Sequence, residues 1–208
     1  MKIIDHPQGS SSWLFARAGL LTASEFDEIV TPEFKMRTGE RPEKYIIGKV
    51  TERLLGQPLN LEQVGTFAMN NGTLLEAQTL PWYEFTYGVK ITRVGFCTTD
   101  DGMVGASPDG LIGEDGGIEV KNPLPQTHLK YLLDGVVPSQ YLPQVHFCLY
   151  VTQRKWWEFV SYSRQFPKLI IRVERDEAIQ SKIHAAVEAF KESFTEKLAR
   201  INELKSKE

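Results

Sequence analysis

The sequence predicts one mixed α/β (α+β) domain, and three observations carry that expectation. Apolar residues recur at helical spacing in residues 42–55, 67–87 and 139–151 and again in the tail. Between these segments lie short stretches rich in β-branched and aromatic residues, bounded by turn signals. Glycine and proline punctuate the chain without pooling into a linker, and no repeat or low-complexity tract divides it, so residues 1–208 read as a single domain.

Taken in order, Thr22-Ala23-Ser24 precedes Glu25-Phe26-Asp27-Glu28, a hydroxyl followed by acids that suits a helix N-terminus. Ser24 reads as a cap or as a phosphate contact. Residues 31–43 hold Pro32, Gly39 and Pro42 among Lys35, Arg37 and Arg41, which predicts an exposed, mobile, locally basic loop. The helices over 42–55 and 67–87 each stop at a glycine, Gly56 and Gly88, where a C-cap is expected. Strands are predicted over 90–97, 103–107, 118–121, 156–162 and 169–174, with Asp115-Gly116-Gly117 as a turn before the third. In the helix over 139–151, Pro143 falls in the first turn, where its missing amide costs nothing. The tail, about 176–206, carries Ile179, Ile183, Val187, Phe190, Phe194, Leu198 and Ile201 at helical spacing, an amphipathic helix with charges on its outer face.

Composition narrows the function. The formal net charge is −3, from 24 basic and 27 acidic residues, so no overall positive field attracts nucleic acid and any polyanion site must be local. The longest apolar runs fall far short of the ~20 residues that cross a bilayer, which argues against a membrane partner. Two cysteines, Cys97 and Cys148, and no evident leader predict a reducing, cytoplasmic setting with both thiols as small core residues. His6, His128 and His184 have no ligand-spaced partner for zinc.

The chemistry concentrates at Ser107-Pro108-Asp109-Gly110 and, nine residues on, Glu119-Val120-Lys121. In a strand, residues two apart share a face, so Glu119 and Lys121 stand side by side while Val120 points into the core. A turn at Pro108-Asp109-Gly110 carries Asp109 towards Glu119. Two converging carboxylates suit a hard divalent cation such as Mg²⁺. Lys121 then holds a nucleophilic water or stabilises charge on phosphoryl oxygens. A β-turn followed by an exposed strand is the competing reading of this pattern. Glu76, on the 67–87 helix, is a candidate third oxygen donor or a plain surface glutamate. Gln144 shares an apolar stripe with Phe147, Cys148 and Val151, so its amide must find a partner, and the lysine, the acids or a bound water would serve.

These residues, with Trp13, Arg17-Ala18-Gly19, Thr22-Ala23-Ser24-Glu25, Gly72, Glu76-Ala77, Asn122-Pro123 and Tyr141, stand in an order that resembles the lambda-exonuclease or YqaJ-type viral recombinase family. That family belongs to the PD-(D/E)xK nucleases. The similarity runs from residue 13 to about 145, and Glu174-Arg175-Asp176-Glu177 extends it. It implies a restriction-endonuclease-like core, a central mixed β-sheet flanked by helices. It also implies a Mg²⁺-dependent 5′-to-3′ exonuclease, with Mn²⁺ able to substitute, that resects linear double-stranded DNA to 3′ overhangs for recombination by strand annealing. A homotrimeric ring, a single-strand annealing protein as partner, and a phage or prophage origin in a bacterial cytoplasm come with it. Metal binding falls to Asp109, Glu119 and the Val120 carbonyl, activation of water to Lys121, support to Glu76 and Gln144, and the DNA 5′-phosphate to Arg17, Ser24 and Ser107. Met69 is carried over as an apolar wedge at the duplex end. His146, where many relatives have a second glutamine, departs from the pattern and stays outside the site. A site-cutting PD-(D/E)xK endonuclease and a non-catalytic DNA-binding or assembly protein are the alternatives. The first lacks a strongly basic base-reading helix, and the second should have lost an acid or the lysine.

Overall fold

The computed structural model describes residues 1–59 and 71–207 in backbone, and 1–59 and 78–207 in side chain. The expected α/β class holds, but the sheet is divided in two. A four-stranded sheet orders β1 (Lys2–Ile4), β4 (Phe96–Thr98), β5 (Val104–Ala106) and β2 (Leu21–Thr22), with β2 parallel to β5 and the other pairs antiparallel. A five-stranded sheet orders β3 (Ile91–Thr92), β6 (Gly110–Ile112), β7 (Gly116–Lys121), β8 (Trp156–Ser161) and β9 (Leu169–Glu174), with only β7 and β8 parallel. The helices are α1 (Ser11–Arg17), α2 (Glu40–Leu55), α3 (Asn71–Tyr87), α4 (Pro125–Asp134), α5 (Leu142–Thr152) and α6 (Glu177–Lys205).

Residues 90–97 form no single strand, because the chain breaks into β3 and β4, which belong to different sheets. At the break, a Cβ on Gly95 would lie 2.1 Å from the His6 carbonyl oxygen, so only glycine lets β1's continuation pass so close. Gly116 and Gly117, expected in a turn, open β7 instead. A Cβ on Gly117 would lie 2.3 Å from the Trp157 ring, which packs flat over that gap. Residues 31–43 are also more ordered than a solvated loop. Val30 bridges Met36, Arg37 Nε donates to the carbonyls of Asp27 and Val30, and Phe34 is buried with its ring edge-on to His146. Phe34 adopts φ +60°, a conformation costly for an aromatic residue, and burial of its ring offsets that strain.

Alternation along β7 sorts its side chains between two layers. Ile118 and Val120 join Ile112, Val160, Leu80 and Tyr83 beneath α3, so Val120 points into the core as expected. Trp157 and Phe159 join Phe147 and Val151 of α5 and Phe190 and Phe194 of α6 in the larger core. α6 begins where Asp176 Oδ1 accepts from the amides of Ala178 and Ile179, an N-cap. Its Ile183, Val187, Phe190 and Phe194 are buried and its charges face outward, as the tail pattern predicts. Cys97 and Cys148 are buried, and burial pushes both thiols above the ordinary range. Among the described residues no helix is long and apolar enough to cross a membrane.

Candidate active site

The β6–β7 hairpin brings the two carboxylates together. Gly110 stands opposite Ile118 in register, which sets Asp109 beside the continuing β7 strand, and Asp109 Oδ2 accepts from the Val120 amide at 2.6 Å. Glu119 projects from the other face of β7 towards α5 and is only 3% exposed. Its Oε1 accepts from Lys121 Nζ at 2.7 Å and from Gln144 Nε2 at 2.6 Å. Gln144 thus satisfies the amide that its apolar stripe demanded. Glu119 Oε2 is buried and makes no hydrogen bond among the described residues. A buried ionised oxygen without a donor is expensive, and a cation is the partner that would relieve it.

Burial works to lower the Lys121 ammonium, but the charges of Glu119 and Asp109 and the hydrogen bond to Glu119 outweigh it and hold Lys121 above the usual lysine range. Lys121 is therefore a proton-bearing donor, its Nζ 5.1 Å from the centre of the Tyr141 ring. Among the described residues no three histidine, cysteine or acidic side chains converge as a metal cluster. The described oxygen donors are two carboxylates and the backbone, so the residues fit a hard cation that retains waters. The Glu76 side chain and all of Met69 lie outside the described residues, although the Glu76 backbone belongs to α3.

A second cluster forms where α1 meets β5. Ser24 is no helix cap, since the segment Ala23–Glu28 is a 3₁₀ helix whose N-cap position is Thr22. Its hydroxyl instead accepts from Arg17 Nη2 at 2.9 Å, while Arg17 Nη1 donates to Ser107 Oγ at 3.0 Å. Trp13 Nε1 also donates to Ser107 Oγ, at 2.9 Å, and the Trp13 ring lies 4.3 Å below the guanidinium. Both lone pairs of Ser107 are then occupied, so its proton must point away from Arg17 and Trp13. Ser24, accepting from Arg17, likewise has its proton to give. A guanidinium flanked by two hydroxyls with protons to give is chemically suited to an anion. Burial draws the Arg17 guanidinium down from its usual value while Glu25 opposes that shift.

Ser24 of the second cluster and Gln144, the Glu119 partner of the first, line one cleft of about 220 Å³ together with Ala23, Asp27, Gln140 and Tyr141. Phe26 against Phe147, ring centres 4.3 Å apart, fixes the 3₁₀ helix to α5 and so sets Ser24 near Gln144. Residues 12–155 match the model of the YqaJ-like viral recombinase domain. The chain belongs to that family. Among solved structures, an alkaline exonuclease (LHK-Exo) from Laribacter hongkongensis is 29% identical, with a TM-score of 0.82, covering 95% of this chain and 99% of that one. LHK-Exo in complex with dAMP is 28% identical, with a TM-score of 0.81 over the same shares. A phage-related exonuclease from Haemophilus somnus 129PT, 12% identical with a TM-score of 0.61 over 88% and 96% of the chains, shares the fold. No curated protein matches the chain.

Thr22 and Glu25, already part of the family pattern, extend the Arg17 cluster, and the structure adds Tyr45 and Lys49 behind Glu25. Thr22-x-x-Glu25 has the spacing of a capping box, but Thr22 makes no side-chain cap bond and its Oγ1 donates to Glu25 Oε2 at 2.8 Å instead.

Proposed function

We propose that this chain is a divalent-metal-dependent exonuclease that resects linear double-stranded DNA from the 5′ end, leaving 3′ single strands for recombination by annealing. The observation that carries this reading is the buried Glu119 carboxylate held by Lys121 and Gln144, with Gln144 sharing a cleft with Ser24, the hydroxyl partner of the Arg17 guanidinium. Family membership supports a nuclease of recombination, and the similarity to the alkaline exonuclease LHK-Exo, which binds dAMP, supports exonuclease action.

Asp109, Glu119 and the Val120 carbonyl would hold Mg²⁺, with Mn²⁺ as a substitute. Such a cation supplies Lewis acidity towards water and a phosphate oxygen. Gln144 and Lys121 occupy Glu119 Oε1, which leaves Oε2 as the ligand atom. Lys121 carries its proton and acts as a donor, orienting the nucleophilic water or stabilising charge on the phosphoryl oxygens. Arg17, Ser24 and Ser107 bind the terminal phosphate. A guanidinium fork favours a dianionic end over an internal diester and stays charged at any working pH. Glu76 is the candidate further acid, and Met69 the wedge that parts the terminal pair.

A homotrimeric ring around the duplex reconciles a net charge of −3 with a DNA substrate, since a basic lining can be concentrated in the channel. A single-strand annealing protein takes over the exposed strand, and the setting is a phage-infected or lysogenic bacterial cytoplasm. The test is a linear duplex labelled at either the 5′ or the 3′ terminus, digested in Mg²⁺. Early release of the 5′ label, stopped by EDTA, is expected. Early release of the 3′ label refutes the polarity, and digestion in EDTA refutes the metal.

A further inference from the structure

The contacts that hold Arg17 lead away from the cleft into α2. Arg17 Nη2 donates to Thr22 Oγ1 at 3.3 Å, and Thr22 passes its own proton to Glu25 Oε2 at 2.8 Å. The same oxygen accepts from Tyr45 OH at 3.2 Å and lies 3.0 Å from Lys49 Nζ. Lys49 Nζ also lies 3.1 Å from Glu52 Oε2, which accepts from the Gly19 amide at 2.9 Å, just beyond the end of α1. Lys49 has a side chain only 9% exposed, and Thr22 is fully buried. Lys49 therefore touches neither Arg17 nor the cleft, yet its charge is buried one residue behind them.

Within this run of contacts the formal charges cancel: Arg17 and Lys49 are positive, Glu25 and Glu52 negative. Burial would raise the Glu25 carboxyl, but the charge and hydrogen bond of Lys49, joined by the Thr22 hydrogen bond and the Arg17 charge, outweigh it and hold the group below the usual carboxylate range. Glu25 is thus an anion directly behind the pocket, and Lys49 is what neutralises it there. Without Lys49 the cluster carries a net negative charge beside a site meant for a phosphate. Arg17 then becomes the nearest described cation able to answer Glu25. A guanidinium drawn to a carboxylate is lost to Ser24, Ser107 and an incoming anion.

We propose that Lys49 is a positioning residue for terminal-phosphate recognition: by pairing with Glu25 on the α2 side, it leaves Thr22 to orient Arg17 towards Ser24, Ser107 and the phosphate. This rests on the reading of the Arg17 pocket as the 5′-phosphate site. Glu25 supplies the hydroxyl orientation, since Thr22, donating to it, can only accept from Arg17. Tyr45 closes the remaining side of the carboxylate.

The experiment compares kcat/KM on duplexes with 5′-phosphate and 5′-hydroxyl ends for wild type, Lys49→Met, Lys49→Arg and the double variant Lys49→Met/Glu25→Gln. The readout is the ratio between the two ends, which a general loss of folding would not move. Wild type should favour the phosphate. Lys49→Met should lose about tenfold of that ratio through a higher KM on phosphorylated ends, the scale of one uncompensated charge near an ionic contact. Lys49→Arg should keep most of the ratio, and the double variant should recover it, because removing both charges restores neutrality. A Lys49→Met ratio equal to wild type, or a double variant no better than the single, overturns the proposal and leaves the pocket reading standing. A wild type indifferent to the phosphate overturns both.

Discussion

Lys121→Met leaves the Glu119 carboxylate, 3% exposed, with Gln144 as its described hydrogen-bond donor. The lost ion pair is 2.7 Å long, which at an effective dielectric of about 20 corresponds to ~6 kcal/mol of Coulomb attraction. Relief of the lysine's own desolvation offsets part of this, and its side chain is 25% exposed, so solvent screens the pair further. Removing one partner of a buried pair costs about 3–5 kcal/mol, and partial exposure places this one near the lower end, ~3 kcal/mol. For a domain of this size that shifts Tm by about 6–12 °C. The assay is thermal unfolding of wild type and Lys121→Met, each in EDTA and in Mg²⁺. The gap should be wide in EDTA and narrower in Mg²⁺, because a cation at Asp109 and Glu119 answers the charge that Lys121 no longer does. Nuclease activity should be lost in both media. Equal Tm values in EDTA would refute the reasoning that Glu119 is a buried charge held by Lys121.

Gly117→Ala should destabilise by about 3 kcal/mol or more in urea unfolding, since the added carbon meets the Trp157 ring at 2.3 Å on the neighbouring strand. Activity should fall with it, because the same strand carries Glu119. Asp101 gives an acid-limb prediction: burial would raise its carboxyl, but Lys191, Thr99 and the Met103 amide hold it at about 2. The folded value lies below the unfolded one, so Asp101 stabilises the fold above pH ~4 and that contribution fades as pH falls towards about 2. The stability difference between wild type and Asp101→Asn in urea titrations should shrink over that window. In solution, sedimentation should give about 71 kDa, three chains of 23.6 kDa, with processive digestion that weakens as salt rises.

Much of the fold was legible because period and punctuation agreed. Residues 169–174 are a strand as predicted, and the tail helix ends within a residue of its expected bounds. α4 was missed although Pro125 opens it and Gly135 closes it in the left-handed region; its buried face is made by His128 and Tyr131, while Leu129 and Leu133 are exposed. The break between β3 and β4 could not be read from residues 90–97, since the His6 backbone that forbids a side chain at Gly95 lies far away in sequence. In the site, the pairing of Glu119 with Lys121 was legible from strand alternation, whereas Asp109 arrives through the β6–β7 hairpin, whose turn lies at residues 113–115 and not at the expected Pro108-Asp109-Gly110. Gln144 announced itself as a polar group on an apolar stripe. Arg17, Ser24 and Ser107 met only through the crossing of α1, the 3₁₀ helix and β5, contacts that no local pattern encodes. Lys49 was opaque for the same reason: on α2 it reads as one more surface cation, and only the packing of α2 behind Thr22 and Glu25 makes it a buried one.

The central claim is that Asp109 and Glu119 hold the cation that serves hydrolysis at DNA ends. The most direct measurement sets wild type and Asp109→Ala against linear and covalently closed circular duplex of one sequence in Mg²⁺. Wild type should degrade the linear molecule and spare the circle, and Asp109→Ala should leave both intact while still binding linear ends. Cutting of the closed circle by wild type would contradict the exonuclease reading. Undiminished digestion by Asp109→Ala would contradict the site.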